Sequence, residues 1–147
     1  MAQEQTGGTG TGHRSVSMTR VAKGRYAVTN ERGGTIAIGG GDSEDFTPVE
    51  LLLTAIAGCS AVDVDFITSK RAEPTSFDVL AEGDKVSDEN GNHMTGIEVT
   101  FTVRFPDGEG GDKARDMLPR AIGMSHDRLC TVSRTVQLGT PIVMRDR

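Results

Sequence analysis

This sequence offers little for a disulfide scaffold, a metal or a nucleic acid. It holds only two cysteines and three histidines in 147 residues. Two cysteines are too few to staple a small secreted domain. They lie far apart and the histidines are scattered, so no Cys-x-x-Cys or His-Glu-x-x-His metal spacing occurs. Sixteen Lys and Arg against 21 Asp and Glu leave a net charge of -5, with no basic run. Nucleic-acid binding runs on phosphate neutralisation, so this balance argues against it. No stretch is read as reaching the roughly 18 to 20 apolar residues of a membrane span. The opening residues, Met1 to Gly8, lack a charged segment followed by an apolar one, so no signal peptide is expected. Glycines 39–41 lack the Gly-Lys-Ser/Thr ending of a phosphate loop. A cytoplasmic protein with no membrane and no nucleic-acid partner is the expectation.

At 35% hydrophobic and 25% charged, the chain has the make-up of one soluble globular domain. Residues 1–13 are polar and Gly/Thr-rich and read as a flexible tail, leaving 14–147 as the domain. Val16, Met18 and Val21 suggest a first strand, and Arg25 to Thr29 a second. The turn chemistry of Asn30-Glu31-Arg32-Gly33-Gly34 leads to a third, Thr35 to Ile38.

Thr47-Pro48-Val49-Glu50 is a capping box with Pro at the first helical position. The helix it opens runs from Leu51 to about Lys70 and is apolar around most of its circumference. Such a helix is expected to be buried, wrapped by sheet or by a partner subunit. Phe77, Val79 and Ala81 alternate as a strand, and Asn90-Gly91 is a strong turn pair. Ile97, Val99, Phe101, Val103 and Phe105 then alternate with polar residues as a half-exposed strand. A helix is expected from Asp112 to Met117, with Pro119 breaking it or opening another that runs to about Arg128. A short turn or helix over Cys130 to Arg134 and a last strand, Thr135 to Met144, complete the pattern. The order is α+β: three N-terminal hairpin strands, a long buried central helix, two strands, C-terminal helices and a strand.

Cys59 lies mid-helix between small residues, in Ala57-Gly58-Cys59-Ser60-Ala61. Small neighbours allow close approach by a substrate, and equally allow tight packing around an inert thiol. Cys130 follows one helix and precedes a new turn, where unpaired N–H groups lower a thiol's pKa; Arg128 and Arg134 would act in the same sense. A buried loop-closing cysteine is the competing reading. His126, four residues before Cys130, would share a helix face with it only if one helix ran through both. His93 reads as a loop residue and His13 as part of the tail.

Pro48 to Cys59 resembles the hallmark helix of the OsmC/Ohr family, and Ser125 to Ser133 resembles that family's second cysteine segment. The likeness covers roughly residues 14–144. It implies an intertwined homodimer with long helices at its centre and its sites at the subunit interface. It also implies a cysteine-based hydroperoxide reductase with no bound cofactor. Cys59 would attack an organic hydroperoxide or hydrogen peroxide and become a sulfenic acid. Cys130 would resolve it as a disulfide, and an external dithiol or lipoyl-type reductant would reset the pair. Arg25, in preference to Arg20, and Glu50 would hold the thiolate. Glu50 is also the capping-box residue, and Cys130 is followed by Thr rather than Pro.

Two other functions compete. A non-catalytic dimer would bind a small apolar or electrophilic ligand between its helices. A Cys–His acyltransferase would need His126 beside Cys130.

Overall fold

The structure, a computed structural model, describes residues 10–147, so residues 1–9 of the expected tail lie outside it. The chain divides into two compact units, one up to Leu51 and one from Leu52 to Arg147.

The first unit is an antiparallel meander of β1 (Val16–Ala22), β2 (Arg25–Asn30) and β3 (Thr35–Ile38). Gly24, at φ +72°, makes the two-residue turn that lets Ala22 pair with Arg25. The Asn30 side chain shapes the next turn, its Oδ1 accepting from the N–H groups of Arg32 (3.0 Å) and Gly34 (2.9 Å). Val28 and Ile38 are buried, whereas Val16, Met18 and Val21 of β1 are exposed.

The helix α1 (Pro48–Ser69) starts as the capping box requires. Glu50 N–H donates to Thr47 Oγ1 (3.3 Å), and Thr47 N–H donates to Glu50 Oε1 (2.9 Å). One expectation for this helix needs correction, and the burial expected of it is partial within a single chain. At 22 residues it is long and apolar enough, by length and composition, to cross a membrane. A core helix satisfies the same measure, and α1 also carries Asp63 and Asp65. Nor is it buried all round. Only the stripe Ile56, Ser60, Val64 and Thr68 is buried, at the four-residue repeat of one helix face. On the opposite face Ala55, Gly58, Val62 and Phe66 are exposed.

In the second unit, β4 (Ser76–Asp88) and β5 (Gly91–Arg104) form one long hairpin. Both strands run further than the alternation alone suggested. The turn is tight because Asp88 Oδ1 accepts from Asn90 N–H (2.8 Å) and Gly91 takes φ +91°. The helix α2 (Glu109–Met124) packs on the inward face. Val103, Phe105 and Ala114 form the buried cluster, with Ala72, Phe77, Phe101 and Leu118 against it. Phe77 and Phe101 meet edge to face at 6.2 Å.

The expected break at Pro119 does not occur, because α2 runs through it. Ala114 and Ala121, fully buried on either side, anchor both halves, and that packing outweighs the one backbone bond that proline cannot donate. A single π-helical turn, Ser125–Leu129, follows, then α3 (Thr131–Gln137). The expected last strand, Thr135 to Met144, is therefore absent. Its first part is helical, and residues 140–147 have no regular structure. Ile142, Val143 and Met144 are exposed and paired with no described strand. A strand needs a neighbour for its N–H and C=O groups, and this segment has none among the described residues.

Candidate functional site

Cys130 is the N-cap residue of α3 and has no solvent-exposed surface. Its thiol donates to Ser133 Oγ (3.2 Å), and Ser133 N–H donates to Cys130 Sγ (3.4 Å). Its own N–H donates to the Ser125 carbonyl (2.9 Å), which closes the π-turn. Burial pushes the Cys130 thiol up. The Ser133 hydroxyl and N–H, the Ser60 hydroxyl and the Cys59 thiol outweigh it, so the net direction is down. The helix-start location was expected; the serine hydroxyls, rather than Arg128 and Arg134, are the groups that lower it.

Cys59 is half-buried on α1. Its thiol moves the other way. Burial raises it, and the Cys130 thiol and the Asp63 carboxylate raise it further, against a lowering contribution from the Val132 N–H. No cation figures among these groups. Both cysteines are free thiols, close enough for each to affect the other's proton.

Asp63 lies one helical turn beyond Cys59. Its Oδ2 accepts from the Ser125 hydroxyl (2.9 Å), and Ser125 is almost fully buried. Sequence reasoning missed Asp63, Ser60, Ser125 and Ser133. Only Ser133 left a local signal, standing three residues after a helix-capping cysteine.

A cavity of about 440 Å³ opens beside this cluster. Ile56, Ile97, Val99, Phe101, Ile122 and Val136 give it apolar walls, and Ser60, Ser133, His126 and Gln137 supply polar groups. Two of these, Ser60 and Ser133, are the hydroxyls that support Cys130.

The remaining expected residues have partners of their own. Arg25 pairs with Asp45 (3.3 Å) in the first unit, where Glu50 lines a small hollow with Glu44, Asp45 and Phe46. Glu50 is held below the usual carboxylate range by the Thr47 backbone N–H and then its hydroxyl. His126 is exposed and bonded through Nδ1 to Asp127 Oδ1 (2.8 Å). The helix ends before Cys130, whose backbone is extended, so no continuous helix face carries both residues. The Cys–His acyltransferase reading lacks its dyad. Among the described residues, no cluster of three or more His, Cys, Asp or Glu could hold a metal.

Residues 40–145 match the family model of OsmC-like protein. The chain belongs to the OsmC-like family. Its fold resembles that of an OsmC-like protein from Vibrio cholerae, with TM-score 0.73 and 15% identity over 86% of this chain and 95% of that one. It also resembles a hypothetical protein from Aquifex aeolicus, with TM-score 0.70 and 22% identity over 88% and 91% of the two chains. The organic hydroperoxide resistance protein OhrB of Bacillus subtilis aligns with TM-score 0.53 and 15% identity over 84% and 90%. These likenesses establish an OsmC-like fold. No curated protein sequence matches the chain.

Proposed function

We propose that this OsmC-like protein is a thiol-dependent peroxidase that reduces organic hydroperoxides through Cys59 and Cys130. The observation that carries the reading is the meeting of its two free thiols beside an apolar cavity. Cys59 is the attacking residue, because it is only half-buried while Cys130 has no exposed surface. Cys59 thiolate attacks the peroxide oxygen, forming an S–O bond and breaking O–O; the alkoxide takes a proton and leaves as an alcohol. Cys130 then attacks the sulfenic sulfur, forming the disulfide and releasing water. An external dithiol, of the lipoyl type, returns both thiols.

The opposite acidities suit these roles in part. A resolving thiol works as a thiolate, and Cys130 is the more acidic of the two. Cys59 needs a cation to become a nucleophile at neutral pH. Arg25 is assigned that part and Glu50 the orienting carboxylate, both by family resemblance. The working form is a homodimer, a reading supported by the exposed apolar face of α1 and by Ile142 to Met144. The assigned compartment is the cytoplasm, with no bound cofactor, no membrane and no nucleic acid as partner.

A second reading draws on the raised pKa of Cys59. With its thiol kept protonated, the protein would be a binder of a small apolar or electrophilic molecule in the 440 Å³ cavity. Equimolar cumene hydroperoxide separates the two. Rapid disulfide formation in wild type, abolished in Cys59→Ser, supports the peroxidase. Thiols that stay reduced over the same period overturn it and leave the binder.

A further inference from the structure

Ser125 bonds to both halves of the thiol pair's scaffold. Its carbonyl accepts the Cys130 N–H at 2.9 Å and so holds the backbone of that cysteine. Its hydroxyl, 1% exposed with the rest of the residue, donates to Asp63 Oδ2 at 2.9 Å. Asp63 stands four residues after Cys59 on α1 and is itself half-buried. The segment between Ser125 and Cys130 is a single π-turn, a rare element found frequently at functional sites. The turn is thus tied at one end to α1 by a hydroxyl–carboxylate bond.

Disulfide closure needs the two sulfurs to come to roughly 2.05 Å with a defined torsion. A turn free to drift would leave an oxidised Cys59 waiting, and a waiting sulfenic acid is oxidised further. We propose that Asp63, acting through Ser125, is a positioning residue that holds the Cys130 turn against α1 for attack on oxidised Cys59. The proposal rests on the redox reading of the pair. In the step concerned, the Cys130 thiolate forms the S–S bond, the S–O bond of the Cys59 sulfenic acid breaks, and the oxygen leaves as water after taking a proton. The sulfenic sulfur is reduced and the Cys130 sulfur oxidised. Asp63 touches neither the peroxide nor the leaving oxygen.

The test compares Asp63→Ala, Asp63→Asn and Ser125→Ala, each first confirmed folded by circular dichroism. Asp63→Ala removes both acceptor and charge, whereas Asp63→Asn keeps an acceptor for the Ser125 hydroxyl. A hydroperoxide pulse is followed by mass spectrometry of sulfenic acid, disulfide and sulfinic acid at Cys59. Loss of a hydrogen bond to a charged group predicts closure slowed about tenfold or more in Asp63→Ala. Sulfinic acid should then accumulate, and closure in Asp63→Asn should stay within about threefold of wild type. Ser125→Ala should match Asp63→Ala. Closure at the wild-type rate in Asp63→Ala, or equal slowing in Asp63→Asn, overturns the proposal. Diamide separates this failure from failure of the peroxidase reading. It couples to one thiol as a sulfenylhydrazine, and the second thiol displaces the hydrazine to give the disulfide without any peroxide. The same ranking of variants with diamide supports the positioning role even where hydroperoxide leaves wild type untouched, and loss of that ranking rejects it.

Discussion

Cys59 and Cys130 stand seventy-one residues apart in the chain, and the fold brings them together with opposite acidities. The Ser133 and Ser60 hydroxyls favour charge on Cys130, while the carboxylate of Asp63 disfavours it on Cys59. A negative charge on one sulfur discourages a second nearby, so the pair should lose its first proton largely from Cys130.

Titration by ultraviolet thiolate absorbance should therefore resolve two steps, one below and one above the ordinary 9.0. Cys59→Ser removes a thiol that helps lower Cys130, so the remaining step should move up. Cys130→Ser removes a group that raises Cys59, so that step should move down. The linkage signs are opposite. Between its lowered folded value and 9.0, Cys130 has lost its proton only in the native state, so its contribution to stability grows with pH. Above 9.0 the unfolded chain releases the Cys59 proton first, so stability falls. One unperturbed step for both thiols would contradict this arrangement.

Glu50 has two assignments that substitution can part. Its carboxyl is held low by Thr47, so its stabilising contribution is present at neutral pH and lost as pH falls through the lowered value. Thr47→Ala should cost about 1 kcal/mol through the cap alone. Glu50→Gln still offers Thr47 N–H an acceptor, so its melting temperature should change little at pH 7. A fall in hydroperoxide turnover of more than about tenfold in Glu50→Gln, with folding intact, would place the carboxylate in the chemistry. Unchanged turnover would make it a cap only.

Much of this fold was legible because its signals are local. The Asn30 turn, the Thr47 cap and the alternation from Ile97 to Phe105 each depend on residues a few positions apart, and each appears where expected. The last strand was not legible. Thr135, Val136, Ile142 and Val143 have strand propensity, but Cys130 caps a helix and Thr135 Oγ1 donates back to the Thr131 carbonyl (2.7 Å). Pro119 misled in the other direction, since packing at Ala114 and Ala121 lies outside any local rule. In the site, family resemblance pointed to the two cysteines. The Asp63–Ser125 bond joins residues sixty-two positions apart and leaves no trace in either segment.

The start of α2 tests close packing. A Cβ at Gly111 would be driven into the Pro106 carbonyl, and one at Gly110 would lie 2.8 Å from the Arg71 carbonyl. Both obstacles are backbone, which cannot swing away. Gly111→Ala should cost about 2 kcal/mol or more and lower the melting temperature by about 5 °C or more. Gly123, on the same helix, has nothing within 4 Å of its Cβ position. Gly123→Ala should gain about 0.5–1 kcal/mol from helix propensity. Equal effects from the two substitutions would mean that the Pro106 contact is not made in solution.

The exposed face of α1 decides whether the site is complete in one chain. Ala55, Gly58, Val62 and Phe66 repeat at three- and four-residue steps, and Phe66 is 64% exposed. Ala55 and Gly58 are small enough for another helix to approach, and Gly58 has open space where a Cβ would sit. Cys59 borders this face, so a second copy seated there would change its surroundings and bring new side chains near the sulfur. Phe66→Glu places a charge on the face without touching the buried stripe. It should turn a dimer into a monomer in sedimentation and leave the melting of each folded chain cooperative. Hydroperoxide turnover should fall with the dimer if Cys59 draws its cation from the partner. Full turnover in a Phe66→Glu monomer would show that one chain activates Cys59 by itself, and the search for the cation would return to Arg25 and Arg20.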